Sequence, residues 1–405
     1  MEVISQEMER LLATGSTLRE MFEEGKRMAK EFGKENVYDF SLGNPSVPAP
    51  ARLNEAIKEV VDETDSLVLH GYMSNAGYED TREAIANELN ERFGMNYKME
   101  NITMTVGAAN ALCVALKIII NPGDEVIVFA PFFLEYRNYI SNFGGVTVVV
   151  PPNAPTFVPD VEALRAAITP RTKAVIINNP NNPTGVVIQP DAMKEIAAVL
   201  NEAQEKYNNP IFILADDVYR ELIYDGVEFP YIPRFYDNTL VAYSYSKAMS
   251  VPGERIGYLA ISPTCKEADR IIAASAIGVR VLGCVNAPSL QQKAIIKMLG
   301  QYTDVSIYDK NRKALVALMQ KAGFEVVWPQ GAFYLFVKTP IDNDKEFVTK
   351  AKEYRIICSS GAAFDCPGYV RFAYCVDYDM IIRSEEAVMA LGKYYGLNWP
   401  QKKLK

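Results

Sequence analysis

Seven short runs rich in Val, Ile and Phe constrain this chain more than any other feature. They span residues 102–106, 125–129, 146–150, 173–177, 211–215, 240–243 and 256–261. Several are nearly continuous in apolar residues, as strands covered on both faces must be. Helical periodicity separates many of them, over 78–93, 108–119, 161–167 and 192–207. Strands alternating with helices predict an α/β fold, a mainly parallel seven-stranded sheet with helices on both faces. After Asn286-Ala287-Pro288 the texture changes. A long helical stretch over 289–321 leads into apolar runs at 325–328 and 332–337. A second helix over 344–354 precedes runs at 356–358 and 369–374. This predicts a smaller α+β domain. The expected division is a large domain over 48–287 and a small one from 1–47 and 288–405. The opening helix, capped by Ser16 and Thr17 and running through Leu18, Met21, Phe22 and Met28, is expected to pack with the small one.

Composition removes several function classes. Lys and Arg number 42 against 50 Asp and Glu, a net charge of −8, so the surface as a whole repels a phosphate backbone and nucleic acid is not an expected partner. His70 is the single histidine, which leaves little support for a His-rich zinc site or a Ser-His or Cys-His mechanism. Cys113, Cys265, Cys284, Cys358, Cys366 and Cys375 form no CxxC pair, consistent with free thiols in a reducing cytosol. The nearest approach to a long apolar run, 271–290, is interrupted by Arg280, so no membrane span is expected. No basic region precedes an apolar one at the start, and the expected compartment is the cytoplasm.

Four segments carry chemistry. Residues 178–185, Asn-Asn-Pro-Asn-Asn-Pro-Thr-Gly, follow the run at 173–177. Ligands of open α/β sheets sit beyond the carboxyl ends of strands, and an Asn amide there donates to a phenolate or carboxylate oxygen. Asp216 and Tyr219 follow the run at 211–215. A carboxylate there needs a partner, such as a pyridinium nitrogen, unless it caps the next helix. Ser244-Tyr245-Ser246-Lys247 follows the run at 240–243, with Arg255 eight residues on. A lysine amine at its usual pKa of about 10.4 is protonated at neutral pH, and condensation with an aldehyde removes that obstacle. The hydroxyls and the Arg are donors for a phosphate. Arg371 lies within the apolar run at 369–374. Facing inward it would grip a carboxylate with its planar fork; at a sheet edge it would face water.

Taken together and in this order, Asn-Pro-Thr-Gly, Asp-x-x-Tyr, Ser-x-Ser-Lys, Gly-x-Arg-x-Gly and a late Arg in a strand resemble the fold-type I pyridoxal-phosphate aminotransferases, class I/II family, over almost the whole chain. The resemblance implies pyridoxal 5'-phosphate as cofactor and transfer of an amino group from an amino acid to a 2-oxo acid. It implies Lys247 as the Schiff-base lysine, Asp216 beside the ring nitrogen, and Tyr219 and Asn182 on the ring's phenolic oxygen. Ser244, Ser246, Arg255 and the backbone of Gly107, Ala108 and Ala109 would hold the phosphate. Phe133, or Phe132 one position earlier, would stack on the ring. Arg371 would bind the substrate α-carboxylate, helped by Asn182 and the backbone at Gly43. Tyr72 matches a position that reaches the neighbouring subunit's phosphate, implying a homodimer. Arg280 lies in the neighbourhood where dicarboxylate-specific relatives grip the distal carboxylate, which implies aspartate or glutamate with 2-oxoglutarate. A β-lyase or decarboxylase on the same fold is the main alternative. A cofactor-binding regulator would need an added basic domain, and a dinucleotide-binding dehydrogenase a GxGxxG after an early strand.

Overall fold

The structure, a computed structural model, describes residues 3–14 and 17–397. Its larger sheet has seven strands: β1 (Ile102–Thr105), β2 (Glu125–Phe129), β3 (Val146–Val150), β4 (Thr172–Asn178), β5 (Phe212–Asp216), β6 (Thr239–Ser244) and β7 (Gly257–Ile261). They lie side by side in the order β1-β7-β6-β5-β4-β2-β3. β2 to β6 run parallel, while β7 is antiparallel to both its neighbours. The expected α/β fold is therefore the observed one.

Two-residue alternation sorts each strand between two cores. Ile213 and Ala215 of β5 join one core with Ile127, Val175 and Val241, under the helices Glu79–Phe93 and Pro190–Tyr207. Phe212 and Leu214 join the other with Val126, Ile176 and Leu240, under the helices Ala108–Ile119 and Ala268–Val281. Asp216, two residues past Leu214, therefore emerges on the side of Ala108–Ile119. The parallel strands β4, β5 and β6 end together, with Asn178 opposite Asp216 and Asp216 opposite Ala242, so their carboxyl ends form one rim.

A second, four-stranded antiparallel sheet follows, in the order Ser359–Ser360, Tyr369–Ala373, Tyr334–Lys338, Val326–Val327. Helices Val305–Lys321 and Asp344–Glu353 cover one face and share its core of Leu315, Leu335, Val370 and Phe372. Val370 and Phe372 point into that core, so Arg371 between them projects from the opposite face. Tyr38–Asp39 pairs in parallel with Ile356–Ile357, and the Ala373 N–H bonds the Phe40 carbonyl. These bonds lead the chain from Phe40 to Gly43 toward the rim.

Two local readings need correction. The stretch 289–321 is two helices, Ser289–Ile296 and Val305–Lys321, with Gly300 in a left-handed conformation between them. The first packs against Arg52–Glu63, and its Ile295 belongs to the first core, so two destinations break the helix. Near the start, a helix over Gln6–Thr14 precedes Thr17–Phe32, while Ser16 lies outside the described residues. The second of these does pack with the smaller unit: Met28 clusters with Val37 and Ile357. No helix among the described residues is long and apolar enough to cross a membrane.

Candidate active site

A cavity of about 270 Å³ opens where the rim meets the smaller sheet, lined by Leu42, Gly43, Phe133, Asp216, Lys247, Arg371 and their neighbours. Its floor comes from the larger sheet. Asp216 ends β5 and is 7% exposed. Its Oδ2 accepts a 2.5 Å bond from the Tyr136 hydroxyl, while its Oδ1 is buried with no partner. Burial pushes the Asp216 carboxyl up to about 6, against the opposing bonds from Tyr136 and the Val218 backbone. Asn178, at the end of β4, donates to the Asp216 carbonyl at 2.9 Å and accepts the Asn182 N–H at 2.7 Å, which fixes the loop after β4.

Lys247 sits on the single helical turn Tyr245–Ala248 directly after β6. Its Nζ donates to the Gly43 carbonyl at 2.8 Å. Burial brings this amine down to about 8; the Arg371 and Arg255 charges act in the same direction and Cys375 against it. Gly43 must be glycine, because a Cβ there would overlap the Tyr334 hydroxyl. That hydroxyl lies 3.0 Å from the Tyr219 hydroxyl, and burial raises the Tyr219 phenol well above its ordinary value, with Tyr334 contributing further.

On the floor's far side, Gly107 caps the helix Ala108–Ile119 at φ 92°, where other residues are strained. A Cβ at Gly107 would come within 2.8 Å of the Arg255 guanidinium. Arg255 is exposed, bonded to the Val106 carbonyl at 3.1 Å and to Ser246 Oγ at 3.4 Å; Ser244 and Ser246 hydroxyls are 2.8 Å apart. First-turn N–H groups, a guanidinium and two hydroxyls thus converge as an anion site.

Arg371 forms the opposite wall. It is on an inner strand, 3% exposed, so the sheet-edge alternative does not apply. Its Nη1 donates to Asn182 Oδ1 at 2.9 Å and its Nη2 to the Ser41 carbonyl at 2.6 Å, while its Nε is unpartnered. Among the described residues its hydrogen-bond partners are Asn182, Ser41 and Ser359, and none is a carboxylate. A buried cation without a counter-ion is costly, and a ligand carboxylate would supply one.

The cavity thus brings together Gly43, Ala108, Ala109, Phe133, Asn182, Asp216, Tyr219, Lys247 and Arg371, with Gly107, Ser244, Ser246 and Arg255 just behind its wall. Phe133 lines it. Phe132 does not: its N–H bonds the Phe364 carbonyl and its ring is buried against Tyr136 and Arg137. Tyr72 is 94% exposed and Arg280 is also exposed; neither lines the cavity. Sequence reasoning did not single out Tyr136, Tyr139 or Tyr334. Tyr136 follows Phe133 by three residues, about one helical turn, and that spacing was the available signal. Among the described residues no cluster of His, Cys, Asp and Glu could hold a metal ion.

An amine that is a nucleophile near neutrality, a carboxylate oxygen open to a cationic N–H, and two anion sites at opposite ends suit a phosphorylated aldehyde and a carboxylate-bearing amine. Comparison with known proteins agrees. The profile of the family described as aminotransferase class I and II matches residues 35–383. An aspartate aminotransferase of Pyrococcus horikoshii is 30% identical over 92% of this chain and 94% of its own. An amino transferase of Eubacterium rectale superposes with a TM-score of 0.95 at 42% identity, over 98% of this chain and 100% of its own. The Thermus thermophilus aspartate aminotransferase, solved with maleate, superposes with a TM-score of 0.85 at 26% identity, over 96% and 100%.

Proposed function

This chain belongs to the class I and II aminotransferases, pyridoxal-phosphate enzymes that move an amino group from an amino acid to a 2-oxo acid, and from that premise we propose that the cavity between Lys247 and Arg371 is its active site and that it prefers dicarboxylic substrates. The residues fit the cofactor. The open Oδ1 of Asp216 suits a protonated ring nitrogen, and the glycine cradle with Arg255, Ser244 and Ser246 suits a phosphate. Tyr219 and Asn182 are the ligands for the phenolic oxygen, and Phe133 is the ring's stacking partner.

The cofactor, when bound, supplies an aldehyde for amine exchange and a ring that accepts the electron pair left when an α-proton departs. The residues do the rest. Lys247 would hold the cofactor through its Nζ, and as a free amine that Nζ would serve as the general base for the substrate α-proton. Asp216 would hold the ring nitrogen in its protonated form through the open Oδ1. Arg371 binds the α-carboxylate with Asn182, which fixes the α-carbon near Nζ and covers the site from water. Two half-reactions through one lysine give ping-pong kinetics.

Leu67, Val68, Tyr72, Ile277, Val281 and Val285 are exposed apolar side chains, and Asn75 bonds the Val285 carbonyl while Asn286 bonds the Ser74 carbonyl, which brings the segments around Tyr72 and Val285 together. Exposed apolar side chains of this kind support a homodimer, in which Tyr72 and Arg280 would act on the partner's site. Unpaired cysteines support the cytoplasm as compartment. The maleate bound to the Thermus thermophilus enzyme, a dicarboxylate, and the identity of both relatives as aspartate aminotransferases support dicarboxylic substrates.

The single observation that carries the site assignment is that the Lys247 amine lines one cavity with Asp216, a carboxylate with one open oxygen, and Arg371. Borohydride reduction of the holoenzyme should fix the cofactor to the Lys247 peptide. Labelling of another lysine would refute the assignment.

A further inference from the structure

Asp216 has two carboxylate oxygens with different fates. Oδ1 is buried and open; Oδ2 accepts from Tyr136 at 2.5 Å. The Tyr136 ring cannot easily leave. It is 2% exposed, stacked on Phe132 at a centroid distance of 6.4 Å and 10°, and met edge-on by Phe133 at 5.8 Å and 85°. It stands on the helix Glu135–Ser141, whose first turn is tied by the bond from its N–H to the Phe133 carbonyl. The same ring lines the cavity. Burial, and then the neighbouring Asp216 charge, raises its phenol well above the ordinary range, so the hydroxyl keeps its proton and remains a donor.

The geometry points to Tyr136 as a positioning residue: its hydroxyl orients the Asp216 carboxylate so that Oδ1 faces the cavity, and stabilises the charged form that the ring nitrogen requires. A buried carboxylate has few ways to remain ionised, and a hydrogen bond to the charged form is one of them. With the hydroxyl gone, Oδ2 is left unsatisfied in an apolar surrounding, and the carboxyl would turn, take a proton, or both. Either change withdraws the acceptor from the ring nitrogen. The same loop thereby couples two functions, since Phe133 lines the cavity beside the ring that steers Asp216. The inference rests on the reading that Asp216 meets the cofactor's ring nitrogen, and its test separates the two.

Tyr136→Phe deletes one oxygen from a packed ring, and thermal melting reports whether it folds. In holoenzyme carrying ¹⁵N-labelled pyridoxal phosphate, the ring-nitrogen resonance of the parent should be pyridinium-like, and that of Tyr136→Phe should move toward the neutral position at the same pH. 3-Fluorotyrosine at 136, which keeps the hydroxyl, should keep the pyridinium signature. Affinity gives a second readout. Apoenzyme of Tyr136→Phe should bind pyridoxal phosphate at least about tenfold more weakly than the parent, the usual worth of a hydrogen bond to a charged group. It should bind the analogue with C–H in place of the ring nitrogen as well as the parent does, or better. An unchanged ¹⁵N resonance, or equal losses for cofactor and analogue, would overturn the inference and leave Tyr136 a packing residue. Asp216→Asn in the same assays tests the underlying reading. If it also fails to distinguish cofactor from analogue, the placement of Asp216 falls, and the role of Tyr136 with it.

Discussion

Replacing Arg371 with Met should separate function from stability. Methionine keeps roughly the side chain's length and removes its charge. In the free enzyme the guanidinium is 3% exposed, and no carboxylate pairs with it among the described residues. Two terms oppose each other there. A desolvated unpaired cation costs several kcal/mol, and its removal recovers that. Against this, Asn182 Oδ1 and the Ser41 carbonyl lose their donor, at about 1–3 kcal/mol each. The sum is near zero, so the melting temperature of the substrate-free protein should move by no more than about 4 °C. Binding behaves otherwise. A substrate α-carboxylate would lose a fork of two charge-assisted hydrogen bonds, about 3–5 kcal/mol in all. At about 1.4 kcal/mol per factor of ten, kcat/KM should fall between about a hundredfold and several thousandfold. Arg371→Lys should fall between parent and Met, since it keeps the charge and loses the fork. Steady-state kinetics with an amino acid and a 2-oxo acid, beside thermal melting, make the measurement. A loss in kcat/KM below tenfold would refute the carboxylate assignment. So would a melting temperature that collapses in step with activity, because the cation would then be a structural element.

Two further predictions follow from the site. Burial brings the Lys247 amine down to about 8, and only the neutral amine attacks an aldehyde. The rate at which apoenzyme captures pyridoxal phosphate should therefore rise from pH 6 to pH 9 with a midpoint near 8; a midpoint near the ordinary lysine value of about 10.4 would mean that burial does not govern the amine. Arg280→Ala should lower kcat/KM for aspartate or glutamate by at least about a hundredfold and change alanine or phenylalanine turnover little, whereas equal losses for all donors would make Arg280 structural.

Much of this was legible in one dimension because the relevant physics is local. The seven apolar runs correspond to the strands within a residue or two at most ends, because the inner strands, covered on both faces, need nearly continuous apolar sequence. Asp216, Lys247 and Arg371 stood out because each is a charge next to or within such a run, where water cannot reach it without a ligand or a partner. What followed depended on neighbours distant in the chain. Tyr136 meets Asp216 across 80 positions, Lys247 meets the Gly43 carbonyl across 204, and Arg371 meets Asn182 across 189. Sequence favoured Phe133 with Phe132 as the alternative; the Phe364 carbonyl, held by the smaller unit, takes the Phe132 N–H and leaves Phe133 at the cavity. The break between Ile296 and Val305 was hidden for the same reason, since helical period continues through it while the two helices pack on different cores. The chain by itself determined which residues must be strands and which charges needed partners, because burial is imposed locally by side-chain chemistry. Only the tertiary structure decided which partners those are, because a hydrogen bond depends on atoms within about 3 Å, and sequence order does not specify that distance.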